Sequence, residues 1–140
     1  MKKQGLLWIT IVLAFVLSTV AIPQSNVYED PSLDYRTIEN NYLEGLESDN
    51  QGLRISCAFY LGEMKSQRAV IPLMKMMGKE DHEGAKIIAA WSLIKIGDQR
   101  GIYRVKKEAE LSNSCAIKCM CEYFHRQHLE TQKSEVAEKK

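Results

Sequence analysis

Apolar positions follow helical spacing between Asp34 and Leu129, and the pattern returns every 32 residues. The spacing is i, i+3, i+4, i+7, which marks one buried face of a helix. The positions are Ile55, Ala58, Phe59 and Gly62, then Ile87, Ala90, Trp91 and Ile94 one period later, with Leu61 and Leu93 beside them. This pattern predicts two equivalent helices whose aromatic side chains fill the gap between packed layers.

Five columns of residues keep the same 32-residue phase without a gap. They are Arg36, Arg68 and Arg100; Ile38, Val70 and Ile102; Asp49, Asp81 and Asn113; Arg54, Lys86 and Lys118; and Phe59, Trp91 and Tyr123. A fixed period of about 20 to 50 residues indicates stacked repeats, because no single unit can bury its apolar face alone. We therefore predict an all-α fold of three units, at residues 34–65, 66–97 and 98–129, each with a helix A and a helix B.

Side-chain oxygens mark the predicted helix starts, where they can accept hydrogen bonds from unpaired N–H groups. Helix A is expected to start at Asp34, Ser66 and Asp98, and helix B at Asp49, Asp81 and Asn113. Pro72 falls about one turn into the second helix A, where it either bends the helix or tightens its first turn. In the third unit Glu122 and His125 replace apolar residues, as expected for a terminal unit with a wet outer side.

Residues 1–21 have the features of a secretory signal: two lysines, an apolar run and small residues before Ile22. The apolar run, residues 5–22, is 18 residues long, so an uncleaved membrane anchor remains the alternative. Either form predicts that the repeats lie outside the cytoplasm, secreted, periplasmic or tethered by this segment. Residues 22–33 are interpreted as a linker, and residues 130–140 as a charged, disordered tail.

The charge balance argues against general nucleic-acid binding, which requires a basic excess. The whole chain carries 19 Lys and Arg against 18 Asp and Glu; removal of residues 1–21 leaves 17 against 18. We therefore expect a protein or peptide partner, no nucleic acid, and membrane contact only through the N-terminal segment. No cofactor is expected.

The best-preserved segments are AAWSLIKIGDQR in the second unit and SCAFYLGEMKSQRAVIPLM across the first and second. These residues resemble HEAT repeats, and more closely the short HEAT-like repeats of the phycobilisome-lyase type, over about 96 of the 140 residues. The resemblance implies a short α-α superhelix, or solenoid, whose B helices line a concave binding face. In an iron-dependent hydroxylase branch of the family, His-Glu pairs converge on iron. Here His82-Glu83 has no counterpart in the other units, so that activity is not expected.

The column of Arg54, Lys86 and Lys118 is the candidate partner face on the B helices. Stacked cations there would attract an acidic segment of a partner. The alternative is that each cation pairs with an acid at a neighbouring helix start, such as Asp49 or Asp81.

Cysteine and histidine residues offer a second hypothesis, a thiol- or metal-dependent sensor or enzyme at the C-terminal end of the repeats. Cys121, His125 and His128 share one helical face and are weak candidates for a metal site. Cys115 and Cys119, at i and i+4, form a conceivable strained disulfide, and the pairing of the four cysteines stays open. No hydrolase or phosphate-binding motif is present, and we predict no catalytic residue and no resident metal.

Overall fold

The computed structural model describes residues 34–138 and places most of them in six α-helices and one short 3-10 turn. The helices are α1 (Tyr35–Gly45), α2 (Gln51–Glu63), α3 (Val70–Lys79), α4 (Glu83–Ile96), α5 (Gln99–Leu111) and α6 (Cys115–Glu138). The 3-10 turn, Gln67–Ala69, leads into α3. This part of the chain contains no β-strand, so the predicted all-α class is confirmed.

The six helices pack against one another as three consecutive pairs, α1 with α2, α3 with α4, and α5 with α6. The second helices of successive pairs also lie side by side: α2 packs against α4, and α4 against α6. We call α2, α4 and α6 the B helices and α1, α3 and α5 the A helices. The first two pairs each fall within one 32-residue period of the sequence, whereas the third pair continues past its period to Glu138.

The core is centred on α4, which contacts α2, α3, α5 and α6. Ala85, Ala89 and Leu93 on this helix have no exposed surface. Small residues bring the B helices close together: a Cβ added at Gly62 would lie 2.8 Å from the Cα of Ser92. The Ser92 hydroxyl is buried there and donates to the carbonyl of Ala58, 2.7 Å away on α2. The small side chains therefore fix how tightly α2 and α4 pack.

Helix A starts where the capping column predicts in the first and third units, but in the second unit Ser66 makes no side-chain cap and α3 starts only at Val70, after the 3-10 turn. Helix B starts one residue later than predicted. Asp34 and Asp98 each accept a hydrogen bond from the N–H two residues on. At the B helices the flanking residues are Asn50, His82 and Ser114 instead of Asp49, Asp81 and Asn113. The Asn50 carboxamide accepts from the N–H of Leu53, whereas His82 makes no side-chain cap. The predicted and the observed starting residues of helix B both recur every 32 residues. The repeat alone therefore could not show which of the two adjacent positions starts the helix.

The last helix extends past the predicted end of the third unit. α6 continues from Leu129 through Glu138, so residues 130–138 are helical where a disordered tail was expected. The segment contains no Gly or Pro, and its Gln, Lys, Glu and Ala residues favour helix. The Thr131 hydroxyl donates to the carbonyl of Gln127, one turn earlier. Its side chains are nonetheless exposed, because no other described helix packs over this extension.

Pro72 occupies the third position of α3, directly after the 3-10 turn. Its missing N–H falls within the first turn, where helix N–H groups have no partner in the helix. Of the two effects predicted for Pro72, the structure shows the tightened entry.

The predicted signal or anchor and the linker, residues 1–33, lie outside the described residues, as do residues 139–140. Between residues 34 and 138, every helix is too short or too polar to cross a membrane.

Candidate binding surface

Arg54 holds two neighbouring units together. Its guanidinium donates to both carboxylate oxygens of Glu80, at 2.5 and 2.9 Å, and Glu80 ends α3 of the next unit. It also donates to the main-chain carbonyls of Ser48 and Asp49, at 2.8 and 3.1 Å. The hydrogen bonds from Arg54 lower the pKa of the Glu80 carboxyl below its ordinary value, against the opposing effect of burial. Arg54 is therefore committed to an internal ion pair, with Glu80 in place of the expected Asp49 or Asp81.

A second ion pair links α1 to the 3-10 turn that leads into the second A helix, α3. Glu39 on α1 accepts hydrogen bonds from the hydroxyl of Ser66 and from the guanidinium of Arg68, the latter at 2.8 Å. These two bonds, the one from Ser66 first, lower the pKa of Glu39. Arg68 therefore forms a local contact between the first two units.

Lys86 and Lys118, the other members of the basic column, make no ion pair within residues 34–138. Lys86 is half-buried and Lys118 is exposed. Their column lies five positions before the aromatic column, which is a rotation of about 140° around a helix with 3.6 residues per turn. The structure therefore places the three cations and the aromatic residues on different sides of the B helices.

The aromatic column lies at the surface. Phe59 is 39% exposed, Tyr123 is 46% exposed, and Trp91 is half-buried. The residues buried on α2 are instead Cys57, Ala58, Leu61 and Gly62. The prediction that the aromatic residues fill the space between layers is wrong, because both sides of α2 are apolar and the helical spacing fits either phase.

The exposed rings form a continuous row across the first two units. Phe59 on α2 stacks on Trp91 of α4, with ring centroids 5.0 Å apart and planes within 4° of parallel. Tyr60 meets the edge of Phe59 at 5.5 Å and stacks on Tyr42 of α1 at 5.3 Å. At the other end, the ammonium of Lys95 lies 5.1 Å from the centre of the Trp91 ring. We call Tyr42, Tyr60, Phe59 and Trp91, with Lys95, the aromatic row.

Side chains around the aromatic row restrain its geometry. Lys95 pairs with Glu63 of α2 at 3.1 Å, so an ion pair bridges the same two helices that carry the Phe59–Trp91 stack. Both charged groups are nearly half exposed, so the ion pair adds little to the stability of the fold. We assign it the role of holding Lys95 in place over the Trp91 ring. In the third unit, Tyr123 is exposed on α6 and meets the edge of the Phe124 ring, with ring centroids 5.9 Å apart.

A groove of about 380 Å³ lies next to the row, between the end of α4 and the extended part of α6. Ile94, Lys95 and Gly97 line one side, and His128 and Gln132 line the other. Lys95 belongs to both features, so the aromatic row and the groove form one continuous surface. The sequence analysis did not predict this surface. The feature of the sequence that could have indicated it is the aromatic column, Phe59, Trp91 and Tyr123.

The four cysteines are all unbonded, and the structure separates them into two kinds. Cys57 and Cys121 are buried on the B helices, where they serve as small apolar side chains. Burial raises the pKa of the Cys121 thiol to about 11, with a further contribution from Glu108. Cys115 and Cys119 are exposed on the first turns of α6. The buried thiols therefore stay protonated at neutral pH and are poor nucleophiles.

The weak metal candidates do not converge. Cys121 has no exposed surface, whereas His125 and His128 are half-buried. Desolvation and the nearby Lys106 lower the pKa of His125. Among residues 34–138, no three His, Cys, Asp or Glu side chains gather in a way that could hold a metal ion.

No protein-family model matches the chain, and a search of curated proteins finds no match. The surface is therefore characterised by its own residues: an aromatic row that runs from Tyr42 on α1 across the B helices α2 and α4.

Proposed function

We propose that this chain is a non-enzymatic protein- or peptide-binding module that uses the solvent-facing side of its B helices. In this proposal the three helix pairs form a short α-α superhelix of HEAT-like units and act outside the cytoplasm. The superhelix is supported by the 32-residue period and by the side-by-side packing of α2, α4 and α6. Placement outside the cytoplasm rests on the N-terminal sequence alone.

The observation that carries the proposal is the exposed stack of Phe59 on Trp91. Aromatic side chains are enriched at the centres of protein interfaces, since they bury a large apolar area while losing little conformational freedom. Here the rings are already ordered by mutual stacking and by Lys95, which lowers the entropy lost when a partner binds.

The shape of the surface favours an extended partner segment carrying proline or aromatic side chains. The B helices satisfy their own backbone hydrogen bonds, so a partner must be recognised through side chains. Flat rings in a row accept other rings and the rigid faces of proline, as aromatic-lined grooves do for proline-rich peptides. The adjacent groove, with Lys95 and His128, provides polar contacts at one end.

A display library of random peptides, selected on the full chain, tests this proposal. We expect enrichment of peptides with proline or aromatic residues, and a loss of about 10-fold or more in affinity on Trp91→Ala or Phe59→Ala, the effect of removing a central aromatic contact. Ile71→Ala is the matched control: Ile71 is 55% exposed on α3, away from the B helices. Equal losses in all three variants, or none in the aromatic variants, would show that peptides bind elsewhere.

A further inference from the structure

The first unit leaves an apolar end face uncovered within residues 34–138. Its members on α2 are Leu53, 46% exposed, and Tyr60, 49% exposed, with Ser56 between them. One and two periods later, the columns of Leu53 and Tyr60 are buried: Ala85 and Ile117, and Ser92 and Phe124. They are buried because each later B helix packs against the preceding one. The end face therefore resembles the surfaces that are covered by a neighbouring B helix in the second and third units.

The opposite end of the stack is polar. On α6, Glu122, His125 and Arg126 occupy the columns that hold Ala58, Leu61 and Gly62 on α2. Glu122 and Arg126 are exposed and His125 is half-buried. If copies of the chain stacked head to tail, Leu53 and Tyr60 would be pressed against these charged groups, at a desolvation cost without compensation. The end face matches another end face better than it matches the other end of the molecule.

From this asymmetry we infer that two copies of the chain associate through their end faces, with the two α2 helices antiparallel about a twofold axis. In this arrangement Leu53 of one copy packs against Tyr60 of the second copy, and the two Ser56 residues meet near the axis. Ser56 suits that place because it is small and its hydroxyl already donates to the carbonyl of Gly52, at 2.9 Å. A twofold contact is self-complementary, so one patch is sufficient.

Charges at the two ends of α2 fit the same arrangement. Asp49 lies just before α2 and Lys65 just after it; both are exposed, and neither is in a salt bridge within the described residues. Antiparallel helices bring Asp49 of one copy next to Lys65 of the second copy. They also align the helix dipoles favourably. The charge pattern therefore selects the antiparallel orientation over the parallel one.

The contact uses a different side of α2 from the Phe59–Trp91 stack. The end face and the aromatic row overlap at Tyr60, which touches Phe59 and Tyr42. Association leaves the Phe59–Trp91 stack free in each copy and presents two binding surfaces to one partner. Two linked sites give an avidity that a short three-unit surface does not reach alone.

Cross-linking of the full chain tests the inference, in a Cys115→Ser, Cys119→Ser background that removes the exposed native thiols. We expect Ser56→Cys to form a covalent dimer rapidly, because the two thiols meet at the axis. Glu122→Cys, on the polar end, is the matched control and should not cross-link. If Glu122→Cys cross-links and Ser56→Cys does not, or if Ser56→Cys joins only to a different protein, the inference is overturned.

Sedimentation of the full chain gives a second readout. We expect Leu53→Glu to shift the dissociation constant of the dimer upward at least tenfold, whereas Tyr103→Glu, at a tyrosine 61% exposed on α5, leaves it unchanged. Asp49→Lys should weaken the dimer, and Lys65→Asp in the same chain should restore it. A chain that stays monomeric, or an association that is unaffected by Leu53→Glu, overturns the inference while leaving the proposed peptide binding untouched.

Discussion

At the scale of single residues, the hydrogen bonds of Arg54 determine what this side chain does in the fold. Hydrogen bonds to Glu80, Ser48 and Asp49 use four of the five N–H donors of its guanidinium. Few donors remain for a partner, and the carboxylate of Glu80 compensates the charge. Arg54 therefore stabilises the junction between the first two units.

The sequence predicted the type of partner for Arg54 but not its identity. An acid was expected from a helix start, yet Glu80 lies 26 positions along the chain, at the end of α3. The repeat aligns residues of the same kind and cannot show which loop approaches which helix. Lys86 and Lys118, in the same column, have no equivalent of this ion pair in the described residues, so the column does not share one role.

The junction predicts a pH-dependent stability. The pKa of Glu80 is lowered in the folded chain, so its ion pair contributes stability above the unfolded pKa, about 4.3 for Glu, and that contribution is lost as pH falls through the folded pKa. Glu80→Gln should therefore lower the unfolding midpoint at pH 7, and the difference from the parent should close below about pH 4. Thermal unfolding across this range measures it. A difference that is constant with pH would mean that the carboxylate charge does not stabilise the junction.

At the scale of elements, helix content and pairing follow from the sequence, but the orientation of the B helices does not. Every predicted unit contains the expected helix pair. On α4, however, Ile87, Ile88 and Trp91 make the outward side as apolar as the inward one, so the spacing fits two opposite orientations. Packing selects between these two orientations. The side of α4 with small residues, such as Ala89, faces the core because only that side lets the neighbouring helices approach closely. The exposed aromatic surface went unrecognised for this reason.

The close approach of α2 and α4 gives a test at the same scale. A methyl group at Gly62 would meet the backbone of Ser92 at 2.8 Å, so Gly62→Ala should lower the free energy of unfolding by about 1–3 kcal/mol. Gly78→Ala on α3 is the control, since its nearest neighbour is the flexible Arg104 side chain at 3.8 Å. There we expect no loss and a gain of up to about 1 kcal/mol from helix propensity.

Chemical denaturation of both variants measures these changes. A Gly62→Ala variant as stable as its parent would mean that the two B helices are not in close contact. Loss of stability in both variants would point to a general intolerance of α-helical substitutions rather than to this contact.

At the scale of the whole molecule, the three units are different in kind. The first carries the apolar end face and most of the aromatic row, the second forms the centre of the core, and the third ends in a polar surface with a long exposed helix. The polar third unit was predicted from Glu122 and His125. The apolar first unit was not, because the exposure of Leu53 and Tyr60 depends on what precedes them in space.

Oxidative footprinting of the full chain is the most direct test of whether partners bind across the aromatic row. A peptide selected on the chain is added, and the modification of aromatic side chains is compared with and without it. We predict that the peptide protects Phe59 and Trp91 from modification, whereas Tyr103 on α5 is modified to the same extent with and without the peptide. Protection of Tyr103 with no change at Phe59 and Trp91 would contradict the claim and move the binding surface to the A helices.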